Sequence, residues 1–152
     1  LTNNYQSYTA GKKRELFSFE KDNKIKILPL ICYEIIYSGN LSRSTEYTFI
    51  INISEDGWFG KSIGPDQHFS KSIFRAIENN TFFLRSTNKG TSAIIDNKGN
   101  IIKQLNRNEA GNIEFDVPLI KSKKIKNDLI FFSLLITYLF IFFIYKKKND
   151  KK

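Results

Sequence analysis

Apolar residues fall in short runs along this chain, separated by breaks rich in glycine, asparagine and lysine, until one much longer run near the end. Leu1 to Phe19 is mixed and polar, with Gly11 and a Lys12, Lys13, Arg14 cluster, and reads as a loop with a solvated basic turn. Lys24 to Glu34 is predicted as a short apolar strand that delivers Cys32, the only cysteine, to its carboxyl end, with Glu34 two residues on. Ile35 to Ser44 predicts a helical turn broken at Gly39 and Asn40. Glu46 to Ile53 is a second strand, β-branched and aromatic, and its nearly continuous apolar run predicts cover on both faces. It ends in the glycine-punctuated loop Ser54 to Gly60.

Gly64 and Pro65 then open a helix, with proline in its usual first-turn place. Phe69, Ile73, Ala76 and Ile77 give that helix an inward face, and Asn79 with Asn80 ends it. Thr81 to Thr87 is a third strand. Asn88, Lys89 and Gly90 turn the chain into Thr91 to Asp96, and Asp96 to Gly99 is a hairpin turn leading to Asn100 to Leu105. A last short strand, Asn112 to Val117, precedes Pro118. One helix among several short strands predicts a mixed α/β domain over residues 1–120.

The long run is Leu129 to Tyr145, seventeen residues without a charge, thirteen of them Leu, Ile or Phe. As a helix it would be about 25 Å long, near the lower limit for crossing a bilayer core. Its side chains favour insertion by about 4–8 kcal/mol. A soluble helix needs a polar face, and this one offers only Ser133, Thr137 and two tyrosines. The expectation is a transmembrane helix at 129–145, preceded by a basic juxtamembrane linker at 121–128 and followed by a basic tail at 146–152. Lysines flank it on both sides and lean slightly toward a cytoplasmic C-terminus.

Charge then changes meaning. The net charge of +9 first suggests a nucleic-acid partner. Residues 121–152, however, hold nine Lys and two Asp, which leaves residues 1–120 at only +2. The excess belongs to the membrane-flanking tail, so nucleic acid is not expected as a partner. One cysteine excludes an internal disulfide framework. The sequence shows no metal-ligand spacing and no phosphate-binding glycine loop.

Three places could carry chemistry. A cysteine after an apolar run is either a small buried hydrophobe or a nucleophile held rigidly by its strand. The second needs a base or a positive neighbour to form thiolate. Trp58 and Phe59 either cap the core or line a pocket. His68, in the first turn of the helix, is either a general base or structural.

The motifs Ile31-Cys-Tyr-Glu34, Asn52 to Gly60, Gly64-Pro-Asp-Gln-His68, Arg75-Ala-Ile-Glu78, Leu84 to Asn88 with Gly90, and Ile94-Ile-Asp96 with Gly99 recur in one order. With the terminal apolar run, this series resembles the carbon–nitrogen hydrolase (nitrilase) superfamily, and within it the membrane-bound bacterial apolipoprotein N-acyltransferases. The resemblance covers the chain from about Lys24 onward. It implies part of an αββα sandwich outside the bacterial cytoplasmic (inner) membrane, with the C-terminus in the cytoplasm. The implied reaction moves an acyl chain from a phospholipid to the N-terminal amine of a diacylglyceryl-cysteine lipoprotein, with no metal or organic cofactor. Cys32 is then the nucleophile that forms a thioester, and Glu34 supports the site. Trp58 and Phe59, beside Tyr33, form an aromatic lip for lipid. Arg85, Ser86 and Asn88 are structural members near the pocket floor, and His68 lies near them. Glu55 stands where an amide residue is expected.

The family works with a Glu–Lys–Cys triad whose Glu and Lys lie many tens of residues before the cysteine. None of Lys12, Lys13 or Glu15 stands in a matching motif. The chain is therefore expected to be a C-terminal part, its N-terminal half missing or separately encoded, with apolar sheet faces left uncovered. The alternatives are a membrane-anchored nitrilase- or amidase-type hydrolase, and an inactive remnant lacking the catalytic Glu and Lys.

Overall fold

A computed structural model describes residues 9, 11, 15–19, 25–39, 41, 46–119 and 128–149. The basic cluster Lys12 to Arg14, the juxtamembrane lysines Lys121 to Lys126, and Lys151 with Lys152 lie outside the described residues.

Among the described residues six strands form one mixed sheet in chain order: β1 (Phe17–Phe19), β2 (Ile25–Ile31), β3 (Phe49–Glu55), β4 (Phe82–Asn88), β5 (Ser92–Ile95) and β6 (Ile101–Leu105). The centre is parallel, with Ile31 opposite Ile53 and Ile53 opposite Ser86, while β1, β5 and β6 run antiparallel to their neighbours. The helix α1 (Gly64–Asn79) crosses from β3 to β4, as a parallel connection requires. Pro65 sits in its first turn, and Asn80 closes it in the left-handed conformation at φ 48°.

Side chains alternate across a strand. Leu28, Leu30, Ile50, Phe83 and Ile95 therefore meet on one face, where Ala76 of α1, Ile35, Phe69 and Ile73 close the core. Phe69, Ile73 and Ala76 of α1 pack inward as their spacing predicts, but the buried face is more polar than that spacing suggests. Ile77 is half exposed, whereas His68, Ser72, Arg75 and Asn79 recur at helical spacing and are buried. Buried polar groups need partners, and two of these find them in the preceding segment. Arg75 Nη1 donates to the Tyr37 carbonyl at 2.6 Å, and the Tyr47 hydroxyl donates to Asn79 Oδ1 at 2.7 Å.

The other face is only partly covered, against the expectation of cover on both sides for β3. Ile31 and Ile53 are 71% and 65% exposed. The stretch predicted as a last strand, Asn112 to Val117, pairs with no strand among the described residues. Its Phe115 instead stacks on Phe82 at 6.1 Å, covering part of this face rather than extending an edge. The predicted strand boundaries shift as well. β2 ends at Ile31, and Cys32–Ile36 forms a short 3₁₀ helix; β3 runs on to Glu55.

The helix α2 (Asp128–Asn149) contains the long apolar run. From Leu129 to Asn149 it is long and apolar enough to cross a bilayer, and it is not buried among the described residues.

Candidate active site

The thiol stands where β2 stops. Cys32 has φ 47°, in the left-handed region that side chains other than glycine and asparagine rarely adopt. Two contacts hold that turn. Glu34 Oε2 accepts the Ile31 N–H at 2.7 Å, tying the 3₁₀ helix back to the strand. From β3, Asn52 Nδ2 donates to the carbonyls of Leu30 at 3.0 Å and Cys32 at 3.2 Å.

Behind the thiol lies a buried polar cluster. Ser54 Oγ is 3.5 Å from Cys32 Sγ and 2.7 Å from Asp56 Oδ1. Asp56 is 1% exposed and gathers three donors. These are Ser54, His68 Nδ1 at 2.9 Å on the same oxygen, and Arg85 Nη2 at 2.7 Å on the other. Arg85 Nη1 also donates to Asn52 Oδ1. Burial lowers the pKa of Arg85, and the Asp56 carboxylate works against that.

Burial alone would raise the Asp56 pKa, but the hydrogen bonds from His68 and Ser54 and the Arg85 charge outweigh it and hold the carboxyl at about 2 instead of 3.8. A carboxyl whose folded pKa is depressed adds stability that is complete above its unfolded pKa and vanishes as pH falls through the folded one. The unfolding free energy is thus expected to drop between about pH 4 and about pH 2, with a flatter acid limb for Asp56→Asn. Equally steep limbs in the two proteins, measured by denaturant titration, would remove Asp56 from this role.

The aromatic residues part company. Phe59 and Tyr33 pack around the His68 ring at 5.4 and 5.6 Å, so Phe59 caps the buried cluster. Trp58 is 86% exposed and lines a groove of about 820 Å³ with Lys61, Lys89 and Arg107. A second groove, of about 830 Å³, is lined by Cys32, Ile31, Ile53 and Ser86. Glu55, Asn88, Lys89 and Asn108 line both, so the two adjoin. Asn88 Nδ2 donates to Glu55 Oε2 at 2.6 Å, which accounts for a carboxylate at position 55.

The structure thus brings Cys32, Arg85 and His68 into one neighbourhood, puts Ser86 and Asn88 on the groove wall, and places Glu34 at the turn's backbone. Asn52, Ser54 and Asp56 were missed from sequence. Their signal is a polar stripe at every second residue, alternating with Ile51 and Ile53 and facing the core side. A buried stripe of that kind demands partners.

Residues 4–127 match the carbon–nitrogen hydrolase family. The chain belongs to that family. Over 148 residues it is 40% identical to the apolipoprotein N-acyltransferase of Rickettsia bellii, covering 95% of this chain and 28% of that protein. The Rickettsia typhi apolipoprotein N-acyltransferase is 41% identical over 131 residues, 82% of this chain and 26% of that protein. The chain thus spans about a quarter of the length of these relatives. A CN-hydrolase superfamily protein from Xanthomonas campestris shares the fold with a TM-score of 0.52 at 19% identity, over 68% of this chain and 43% of that one. An amidase of the nitrilase superfamily from Nesterenkonia gives 0.50 at 11% identity, over 68% of this chain and 41% of the amidase. The mixed sheet with its helix is accordingly part of a nitrilase-type architecture, as the motif series implied.

Proposed function

We propose that this carbon–nitrogen hydrolase chain carries the thiol of a lipoprotein acyltransferase, with Cys32 as the acyl-accepting nucleophile. The observation that supports it is the position of Cys32: a rigid strand end opening on a groove with exposed Ile31 and Ile53, in a chain similar over nearly its whole length to apolipoprotein N-acyltransferases. Apolar walls suit an acyl chain, and an apolar helix in the same chain would keep the site at the lipid surface.

In this reading the Cys32 sulfur attacks the ester carbonyl of a phospholipid. A carbon–sulfur bond forms, the ester carbon–oxygen bond breaks, and the lysophospholipid leaves with the thiol's proton. The N-terminal amine of a diacylglyceryl-cysteine lipoprotein then attacks the thioester, an amide forms, and the amine's proton returns to sulfur. Ester and amine become alcohol and amide, a two-step scheme of the covalent type. Glu34 holds the turn in shape, Trp58 meets the lipid, and Tyr33 and Phe59 shield the cluster behind the thiol. The domain lies outside the bacterial cytoplasmic membrane, α2 spans it, and a general base and a lysine are contributed by sequence beyond this chain.

Labelling by a lipid-like alkyne fluorophosphonate tests this in membranes that contain the complete acyltransferase sequence upstream of this chain. Cys32 is expected to be labelled there, with a loss of at least about 100-fold in Cys32→Ala. With an alkyne-tagged phospholipid as acyl donor, release of the tagged acyl chain to water rather than to a lipopeptide amine would turn the reading to a hydrolase. Unlabelled Cys32 in an intact, folded protein would end the catalytic reading.

A further inference from the structure

The polar cluster behind Cys32 closes on itself. Starting at Cys32 Sγ, Ser54 Oγ lies 3.5 Å away, Asp56 Oδ1 a further 2.7 Å, and Arg85 Nη2 2.7 Å from Asp56 Oδ2. Arg85 Nη1 then reaches Asn52 Oδ1, and Asn52 Nδ2 returns to the Cys32 carbonyl at 3.2 Å. The ring leaves the cysteine by its sulfur and comes back by its backbone. Asn52, Asp56 and Arg85 are each less than a twentieth exposed.

We propose that Asp56 is a positioning residue for the Cys32 thiol, setting the proton direction at the sulfur through Ser54 and the backbone geometry through Arg85 and Asn52. This rests on Cys32 being the reacting thiol, but on no particular acyl donor or acceptor.

A hydroxyl carries one proton, and an ionised carboxylate only accepts. Ser54 has both Asp56 and Cys32 as neighbours, so its proton goes to the charged oxygen, the stronger acceptor. Its lone pairs then face Cys32, and the thiol must donate its own S–H toward Ser54 Oγ. The sulfur's proton is thereby aimed at a fixed place, and its remaining lone pairs are left to the groove. Asp56 is itself fixed by His68, whose Nδ1 must carry hydrogen to bond a carboxylate. At the other end, Arg85 orients Asn52 so that its amide N–H groups, not its oxygen, face Leu30 and Cys32. One carboxylate therefore holds the unusual φ of Cys32 and the direction of its S–H together.

Asp56→Asn reverses the sense of the ring. Arg85 can only donate, so the new amide keeps its oxygen toward Arg85 and turns its N–H₂ toward Ser54 and His68, whose Nδ1 then accepts, the ring hydrogen moving to Nε2. Ser54 then accepts from the amide, and its proton turns to Cys32 Sγ, where it stabilises thiolate. The loss of a nearby negative charge acts in the same direction.

Because Cys32 is the only cysteine, iodoacetamide alkylation of the full chain in detergent micelles reads one site. The pH midpoint of alkylation is expected to fall by about half a unit to one unit in Asp56→Asn. Ser54→Ala, which deletes the oxygen that accepts the S–H, is expected to lower the midpoint by a smaller amount. In the Ser54→Ala background the Asp56→Asn shift should shrink to half or less, since the route through the hydroxyl is gone. An unmoved midpoint in Asp56→Asn, or an equal shift in both backgrounds, overturns the proposal, since charge alone would then act on the thiol. If Asp56→Asn does not fold, Ser54→Ala decides alone: a lowered midpoint supports the ring and an unchanged one refutes it. None of these outcomes depends on acyl transfer, so the ring and the acyltransferase reading can fail separately.

Discussion

Arg85→Ala is expected to lower the stability of the sheet domain by about 3–5 kcal/mol, the usual consequence of leaving a buried charge without its partner. The side chains of Arg85 and Asp56 are both fully shielded from solvent and meet at 2.7 Å. Removing the guanidinium leaves the Asp56 carboxylate in the interior with only Ser54 and His68 to satisfy it. Asn52 loses a charge-assisted bond at the same time. Protonation of Asp56 would relieve part of the loss, so the defect should be smaller at pH 4 than at pH 7. The double variant Arg85→Met with Asp56→Asn removes both charges, and it should recover a large part of the stability, because a buried ion pair adds little over neutral replacements. Denaturant unfolding followed by tryptophan fluorescence, with Trp58 as the sole reporter, gives the comparison. A loss below about 1 kcal/mol in the single variant would mean that water reaches the pair.

Gly90→Ala is expected to be nearly as damaging, for a reason of space alone. A Cβ at Gly90 would lie 2.2 Å from Asp56 Oδ2, 2.7 Å from its Cγ and 2.8 Å from its Cβ. Aspartate has a short side chain, and this one is held by three donors, so it cannot swing aside without giving up bonds to Ser54, His68 or Arg85. Overpacking of this kind costs about 1–3 kcal/mol before any lost hydrogen bond is counted. The same variant should also shift the pH midpoint of Cys32 alkylation, since the carboxylate would be displaced. A Gly90→Ala protein with unchanged stability and unchanged thiol titration would show that the β4–β5 turn yields instead.

Most elements were legible because their signals are local. The proline-led start of α1, the left-handed Asn80 that ends it, the Asp96 to Gly99 turn and the long apolar run of α2 each need only a few neighbouring residues. Asp96 caps its turn by accepting the N–H groups of Lys98 and Asn100, each at 2.8 Å, and Gly99 takes φ 88° there. The site was half legible. Cys32 stood out as the only thiol, and the family resemblance brought Arg85, Ser86, Asn88 and His68 with it. Asp56 did not stand out, because a carboxylate in a glycine-containing loop reads as ordinary turn material. Its burial follows from the register of three parallel strands and from where α1 begins, and both of these are long-range facts. The same distance effect explains the polar part of the buried helix face. Arg75 and Asn79 look like a solvated side until Tyr37 and Tyr47 are folded against them. Asn112 to Val117 alternates correctly for a strand, but alternation only says that one side is covered, and here stacking covers it rather than pairing.

The left-handed backbone at Cys32 has a consequence for how such a site ages. A non-glycine residue in that region stores about 1–3 kcal/mol of strain, which surrounding structure must hold. On the proposed reading of Cys32 as the acyl-accepting thiol, selection for that thiol keeps the cysteine there against the fold's own preference. In a lineage where the chemistry no longer matters, asparagine or glycine at position 32 would relax the turn and make the domain more robust. The inactive descendants of such a protein should therefore be recognisable by a calmer backbone at the former nucleophile, and only later by a lost groove.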